Sequence, residues 1–425
     1  MIQVHAQINI VHVQDNQLLC GGHRPSAAAA THERGNFMIR VAVVGTGNIS
    51  RAHIEGYLNF PDKCKIVALV DIIPEKAVEK AALFHLDCEI FDDHQKILHR
   101  TDIDLVDICT PPYVHGEIAI NALNSGKNVL VEKPMAASLQ ECDRMLEAAR
   151  KSGKLLSSIA QNRFRTPIAN LKKLLDSGLA GPVRHVQVDS YWWRGHCYYD
   201  LWWRGLWSKE GGGCTLNHAV HHIDMLGWMM GQPREVTAVL ANVAHDNAEV
   251  EDLSVAILRY EGALAQVTSS VVHHGEVQQL IFQCEKARIS APWETYASVS
   301  KKNGFPVRND TVEDELTAFY SKLPPVEPEG HTGQIGNVLD ALEKGIAPAI
   351  TGEDGRRTIE LITAIYKSGA TRATVALPIG KDDPFYTVEG MRSHMPRFYE
   401  KTSSLSGLGD DNITVGSDYR QKARP

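Results

Sequence analysis

The stretch Val41-Ala42-Val43-Val44-Gly45-Thr46-Gly47-Asn48-Ile49-Ser50 decides how this chain is read. A β-branched apolar run, the composition of a buried strand, ends in Gly-x-Gly-x-x-Ser. Gly45 permits a tight turn, and Gly47 lets the backbone come close to a ligand. A helix opening at Asn48 and Ile49 presents free N–H groups and a positive dipole end, which suit a pyrophosphate. Ser50 stands where a third Gly or Ala is usual and is small enough for close helix packing. Asp71 ends the next strand, where a carboxylate accepts hydrogen bonds from both ribose hydroxyls of an adenosine. It repels a 2′-phosphate, and Ile72 supplies no cation beside it, so NAD is favoured over NADP. The competing reading of Asp71 is a helix N-cap ahead of Pro74.

Outward from this turn the pattern is strand then helix, repeated. Strand-length apolar runs stand at Val41–Val44, Ile66–Val70, Leu105–Cys109, Asn128–Val131 and Leu155–Ile159. Helical spacing fills Val114–Asn124 and Leu139–Lys151, as βαβ units in a parallel sheet require. After Ala160 the order changes. A helix is expected at Pro167–Ser177, a strand at Val183–Ser190, and a helix at about Thr215–Met230 stopped by Gly231. Strands then follow one another at Val236–Val243, Leu253–Tyr260, Leu264–His273, Gln278–Cys284 and Ala287–Ser300. Helices at Thr332–Lys344 and Asp354–Gly369 close the domain. The expected fold class is α/β: an N-terminal Rossmann parallel sheet plus a C-terminal α/β domain with an open, mainly antiparallel sheet. The divisions are a flexible extension over 1–37, an NAD-binding domain over 38–160, a substrate-binding and oligomerisation domain over 161–390, and a loosely ordered tail over 391–425.

The 425 residues carry 44 Lys and Arg against 51 Asp and Glu, a net charge of −7. That balance argues against nucleic acid or an anionic membrane surface as partner. The 43% hydrophobic and 22% charged content is that of a soluble globular chain. No apolar run reaches the roughly 18 residues of a membrane span. The eight Cys are scattered, with no C-x-x-C pair, and no export signal is evident, so reduced thiols in a cytoplasmic setting are expected.

Three further motifs carry a resemblance. Thr110-Pro111-Pro112-Tyr113-Val114-His115 follows one strand and Glu132-Lys133-Pro134 the next. Gly211-Gly212-Gly213 opens a helix bearing Asn217, His221 and Asp224, and Asp354-Gly355-Arg356-Arg357 lies near the last helix. In this order, over about residues 38–390, the set resembles the Gfo/Idh/MocA oxidoreductases. The resemblance implies an active site between a Rossmann domain and an open-sheet domain that is often used for dimer contacts, hence a homodimer or homotetramer. It places Thr110, Pro111, His115, Glu132 and Lys133 at the cofactor along with Gly45, Gly47, Asn48, Ile49 and Asp71. It also matches Lys133, Asn217 and His221 to the catalytic positions, with Asn217 where an Asp is usual.

The chemistry of the residues agrees. Oxidising an alcohol removes a hydroxyl proton, and neutral His is a base of suitable pKa. Developing alkoxide charge needs a cation, which Lys133 at a strand end supplies. His221 is therefore assigned as base and Lys133 as alkoxide stabiliser or proton relay. Asn217 cannot relay a proton and is expected to orient His221 or the substrate. His115 either sits over the cofactor edge or caps the following helix. His218, His221 and His222 at i, i+3 and i+4 have zinc-like spacing, but no Glu stands between them as in His-Glu-x-x-His, and no metal is expected.

Five of the seven Trp fall within residues 192–207: Trp192, Trp193, Trp202, Trp203 and Trp207. Flat rings suit the C–H faces of sugars, and Arg suits hydroxyls or a carboxylate. Arg204 and Trp207 are expected at the substrate together with Arg163, and the first Trp pair is expected to be structural. The reading is an NAD-dependent dehydrogenase acting on a secondary hydroxyl of a cyclic polyol: a sugar, a sugar derivative or an inositol. The rivals are an enzyme of this fold that retains NAD for a transient oxidation, and a non-catalytic NAD-binding regulator.

Overall fold

A computed structural model of the protein describes residues 38–405 and 419–420. The expected extension over 1–37 lies outside them, as do 406–418 and 421–425. The first sheet contains β1 (Ile39–Val44), β2 (Cys64–Val70), β3 (Glu89–Phe91), β4 (Leu105–Ile108), β5 (Asn128–Val131) and β6 (Leu156–Ser158). Its order is β3-β2-β1-β4-β5-β6, and every pair is parallel. The alternation of β1 explains why it sits at the centre. Ile39, Val41 and Val43 enter one apolar cluster, while Ala42 and Val44 enter another. A strand buried on both faces is apolar throughout. The order reverses between β1 and β4, so a crevice opens at their carboxyl ends, the usual ligand position in doubly wound sheets.

The second sheet holds β7 (Val183–Tyr191), β8 (Glu235–Ala241), β9 (Leu253–Tyr260), β10 (Ala263–Ser270), β11 (Gln278–Cys284), β12 (Ala287–Ala291), β13 (Thr295–Ser300), β14 (Pro306–Arg308) and β15 (Val375–Ala376). The order is β14-β13-β12-β11-β7-β10-β9-β8-β15, antiparallel except for the parallel β7–β10 pair. In β9, Ala256 and Leu258 are buried while Val255 and Ile257 are exposed, so one face is covered and the other is open. The sheet class therefore matches the expectation.

Local differences have local causes. The strand expected over 287–300 divides at Pro292, which has no N–H for a ladder. The helix expected over 215–230 divides into Cys214–Asn217 and Val220–Met230. A helix at Asp310–Lys322, capped by the Asn309 side chain on Val312 N–H, was absent from the sequence reading. The helix Gly330–Lys344 packs against the first sheet's flank, and Gly352–Thr371 spans both sheets: Ala238 N–H of β8 donates to Ser368 Oγ at 2.8 Å, while the start of that helix meets β6. Ile335, Val338 and Leu339 join the cluster of the first helix, Ser50–Leu58, beneath β1. A Cβ on Gly56 would lie 2.5 Å from Ile335, and one on Gly352 would lie 2.9 Å from Leu156 of β6. The chain past residue 160 thus closes both flanks of the first sheet. Residues 395–405, expected to be loosely ordered, pack on the aromatic segment. Trp207 Nε1 donates to Pro396 O at 3.1 Å, and Phe398 N–H donates to Glu249 O at 3.0 Å.

Candidate active site

At the end of β1, Gly45 has φ +91°, and a Cβ there would lie 2.8 Å from the Cys109 carbonyl. Only glycine fits. At Gly47 a Cβ would meet nothing within 4 Å. Gly47 and Asn48 are exposed, and the helix Ser50–Leu58 begins with no acidic residue in its first turn. Ser50 Oγ donates to Gly47 O at 2.7 Å and so ties the loop to the helix start. The loop is an open, uncharged cradle with free N–H groups, which fits a dinucleotide phosphate. Asp71 Oδ2 accepts from Thr46 N–H and Oγ1–H, each at 2.8 Å, and Oδ1 accepts from Ile73 N–H at 3.0 Å. Asp71 does not cap the helix Pro74–Leu83, which has no side-chain cap. It fixes its carboxylate at the lip of the same cradle. The Thr110 hydroxyl is buried there without a partner, and Pro111 extends the loop after β4.

Lys133 leaves the end of β5, and its Nζ donates to Asn217 O at 3.3 Å. The Asn217 amide donates to Gly212 O at 2.8 Å, so it closes its own turn, and it is the backbone of Asn217 that meets Lys133. Lys133 and His221 line one cavity with Asp224 and Thr358. Among the described residues the His221 ring makes no hydrogen bond. Burial, then the Lys133 charge, holds its pKa well below the ordinary histidine value, so the ring is neutral. Burial also lowers the Lys133 pKa, with Glu132 opposing and Arg204 reinforcing the shift. The pair thus presents a neutral base and a cation whose charge is easily withdrawn.

Residues 39–159 match a family model described as oxidoreductase family, NAD-binding Rossmann fold. Residues 168–290 match the GFO/IDH/MocA C-terminal domain. The chain belongs to the GFO/IDH/MocA oxidoreductase family. Its N-terminal domain is an NAD-binding Rossmann domain. The chain is 32% identical over 212 residues to 2,7-anhydro-N-acetylneuraminate hydratase of Mediterraneibacter gnavus, a match covering 50% of this chain and 54% of that one. It therefore spans about half the length of that relative. Against myo-inositol 2-dehydrogenase of Thermotoga maritima it is 25% identical, covering 80% of this chain and 98% of the relative. The WlbA dehydrogenase of Bordetella pertussis, solved with NADH and UDP-GlcNAcA, superimposes with TM-score 0.70 at 28% identity, over 81% of this chain and 99% of that chain.

Not every residue expected at the GFO/IDH/MocA site faces it. Arg163 is buried, and its guanidinium grips Asp224 through two bonds of 2.8 and 2.7 Å and Asp354 at 3.3 Å. A fork matched to two carboxylates locks three helical segments together and leaves little for a substrate. Trp207 is 3% exposed and packs edge-on against Tyr366, so it belongs to the core. His115 is fully buried, with its ring nitrogens facing Pro134 O at 2.9 Å and Thr110 O at 2.7 Å. It latches the loops after β4 and β5 and makes no cap. Glu132, expected at the cofactor, is 2% exposed and taken up by His53, His331 and the Lys133 N–H. Arg204 lies between the rings of Tyr198 and Trp203, 4.1 and 4.2 Å from their centroids, and pairs with Glu210 at 2.9 Å. The three histidines do not share a helix face, because the helix breaks at His218–Ala219. His222 Nε2 instead accepts from, or donates to, the Tyr419 hydroxyl at 2.9 Å.

Two groups of buried residues escaped the sequence reading. Glu251 accepts from Gly213 N–H at 3.1 Å, Thr215 N–H at 3.0 Å and the Tyr366 hydroxyl at 2.9 Å. It caps the turn that carries Asn217, and burial pushes its pKa up to about 7. The second group is His53, Asp107 and His331 around Glu132. No local spacing signals either group: the partners of Glu251 lie 36 or more residues from it, and His53, Asp107, Glu132 and His331 are 25 or more residues from one another. Among the described residues no helix is long and apolar enough to cross a membrane.

Proposed function

We propose that this protein is an NAD-dependent dehydrogenase that oxidises a secondary hydroxyl of a cyclic polyol: a sugar, a sugar derivative or an inositol. The observation that carries the reading is the placement of Lys133 and His221 on one cavity at the carboxyl end of β5, in the same parallel sheet whose central strand β1 ends in the cradle of Gly45, Gly47 and Asp71. NAD, held by the Gly47–Ile49 N–H groups and by Asp71, supplies the oxidant when bound. The substrate hydroxyl meets the neutral imidazole of His221, which takes its proton. Lys133, steered by Asn217 O, stabilises the oxygen as negative charge grows there. Arg204, paired with Glu210 and stacked between Tyr198 and Trp203, acts through its field, which lowers the pKa of His218 and of Lys133. The names of relatives that act on inositol and on a sugar nucleotide agree with a hydroxylated ring as substrate.

The name of the Mediterraneibacter relative, a hydratase, supports a second reading in which NAD is retained and no net oxidation occurs. The exposed apolar row Val239, Val255, Ile257 and Leu264 on the open face of the second sheet supports a homodimer or homotetramer. The test is NADH formation by purified protein across inositols, aldoses and sugar acids, with NAD and with NADP. Turnover with NAD on one of these is expected. Silence with NAD found tightly bound favours the retained-cofactor reading. Silence with no affinity for NAD overturns both.

A further inference from the structure

Beneath Lys133 lies a buried chain that the proposed reaction does not use directly. His53, on the first helix, is 0% exposed. Its Nδ1 is 2.8 Å from Asp107 Oδ2 on β4, and its Nε2 is 3.0 Å from Glu132 Oε1 at the end of β5. The same Glu132 oxygen lies 3.3 Å from His331 Nε2, and Glu132 Oε2 accepts the Lys133 backbone N–H at 2.8 Å. We propose that His53 is an imidazolium clamped between two buried carboxylates, and that through Glu132 it is the positioning residue that sets the place and charge of Lys133.

A neutral imidazole has one N–H and one lone pair. In either tautomer one lone pair of His53 would then face a carboxylate oxygen at hydrogen-bond distance, in a dry interior where such opposition is strong. A proton on Glu132 does not relieve this, because both of its oxygens already face donors: His53 and His331 on Oε1, Lys133 N–H on Oε2. The imidazolium between two ionised carboxylates satisfies every contact at once. The neutral arrangement that does the same needs the proton on Asp107 Oδ2, in contact with the His53 Nδ1 lone pair, and neutron diffraction separates the two. Burial is the largest single influence and opposes its charge, but the Asp107 carboxylate and Cys109 together hold the His53 pKa well above the ordinary value. Burial alone would also raise the Glu132 pKa, but His331 and His53 hold it well below the ordinary carboxylate range. Tyr57 and Cys109, the other titratable groups facing the clamp, are kept neutral by burial beside Asp107. His331, lowered by burial, donates as a neutral ring.

Two carboxylates and one imidazolium leave one negative charge beneath Lys133. Facing Lys133 are Glu132, Arg204, His218, His221 and His331. Only Glu132 favours the ammonium, while burial and Arg204 oppose it. The clamp therefore favours the Lys133 ammonium against burial and Arg204, and Oε2 holds its backbone so that Nζ reaches Asn217 O.

The inference rests on the role proposed for Lys133, and its test has one arm independent of activity. Neutron diffraction from crystals of the whole protein is expected to show deuterons on both ring nitrogens of His53 and none on Asp107 or Glu132. A bare ring nitrogen, a protonated carboxylate, or a metal ion among His53, Glu132 and His331 overturns it, whatever the kinetics. In the second arm, Glu132→Gln should lower the alkaline limb of the kcat profile by about 1 pH unit, the scale of one removed neighbouring charge, with NAD affinity unchanged. Asp107→Asn should give a smaller shift in the same direction. An unshifted limb in folded Glu132→Gln protein overturns the positioning role. An inactive protein with both deuterons in place would instead refute only the reaction.

Discussion

The molecule contains two glycine turns that look alike in sequence and differ in purpose. In Gly45-Thr46-Gly47 the second glycine faces open space, since a Cβ there meets nothing within 4 Å. In Gly211-Gly212-Gly213 the glycines face protein. A Cβ on Gly212 would lie 2.1 Å from the Tyr366 hydroxyl, and one on Gly213 would lie 1.8 Å from Glu251 O. The first turn keeps room for a ligand. The second lets Glu251, in the loop before β9, and the helix Gly352–Thr371 crowd against the segment that carries Asn217. A glycine run therefore marks close approach, and only its surroundings say whether the approaching partner is a small molecule or the fold itself.

That contrast can be broken or sharpened by mutation. The largest expected effect is on the chemistry between the turns. Lys133→Met should lower kcat by about 10² or more, the scale for losing a group that acts on a reacting proton or charge. NAD affinity measured by calorimetry should stay as in the parent, because the groups of the cradle, the Gly47–Ile49 N–H groups and Asp71, are unchanged. Next is the packed turn. Gly213→Ala must displace the Glu251 carbonyl, and urea unfolding should show a loss of about 3 kcal/mol, the upper range for overpacking. A stability equal to the parent would erase the distinction drawn between the two turns. Gly47→Ala should do the reverse: stability within about 0.5 kcal/mol of the parent, but an NAD Kd at least about tenfold higher, a change of about 1.4 kcal/mol.

The smallest effect concerns pH. Glu251 titrates in the fold at about 7, above the ordinary carboxylate value near 4.3. The folded state therefore binds more protons than the unfolded one between those values. Stability from this group is present below about pH 4, falls as pH rises to about 7, and is level above that. Glu251→Gln should flatten the decline across that window when unfolding free energies are compared at several pH values. An unchanged slope would show that the carboxyl is ionised throughout.

Much of the first turn was legible because its residues are neighbours in sequence. A strand, two glycines, a helix start and Asp71 lie within one βαβ unit, and local sterics and backbone N–H direction tie them together. Lys133 and His221 were legible as chemical types at the ends of elements. Arg163 and Trp207 were misplaced for the opposite reason. An Arg beside a site reads as a substrate ligand until Asp224 and Asp354, 61 and 191 residues on, are seen to occupy its fork. Trp207 reads as a sugar platform until Tyr366 and Pro396 cover it. The buried clamp was invisible, since His53, Asp107, Glu132 and His331 are joined only by the β1-β4-β5 adjacency and by a helix from near the C-terminus.

The sequence by itself determined the class of the two sheets, the dinucleotide turn and the residue types able to move a proton. Those follow from hydrophobic period, glycine conformation and side-chain chemistry, which are properties of short segments. Only the tertiary structure decided which charges are already neutralised, which rings are core, and that the helices Gly330–Lys344 and Gly352–Thr371 return to flank the first sheet. The physical reason is that burial and ion pairing belong to pairs of residues distant along the chain, and a charge is available to a substrate only after the fold has failed to claim it.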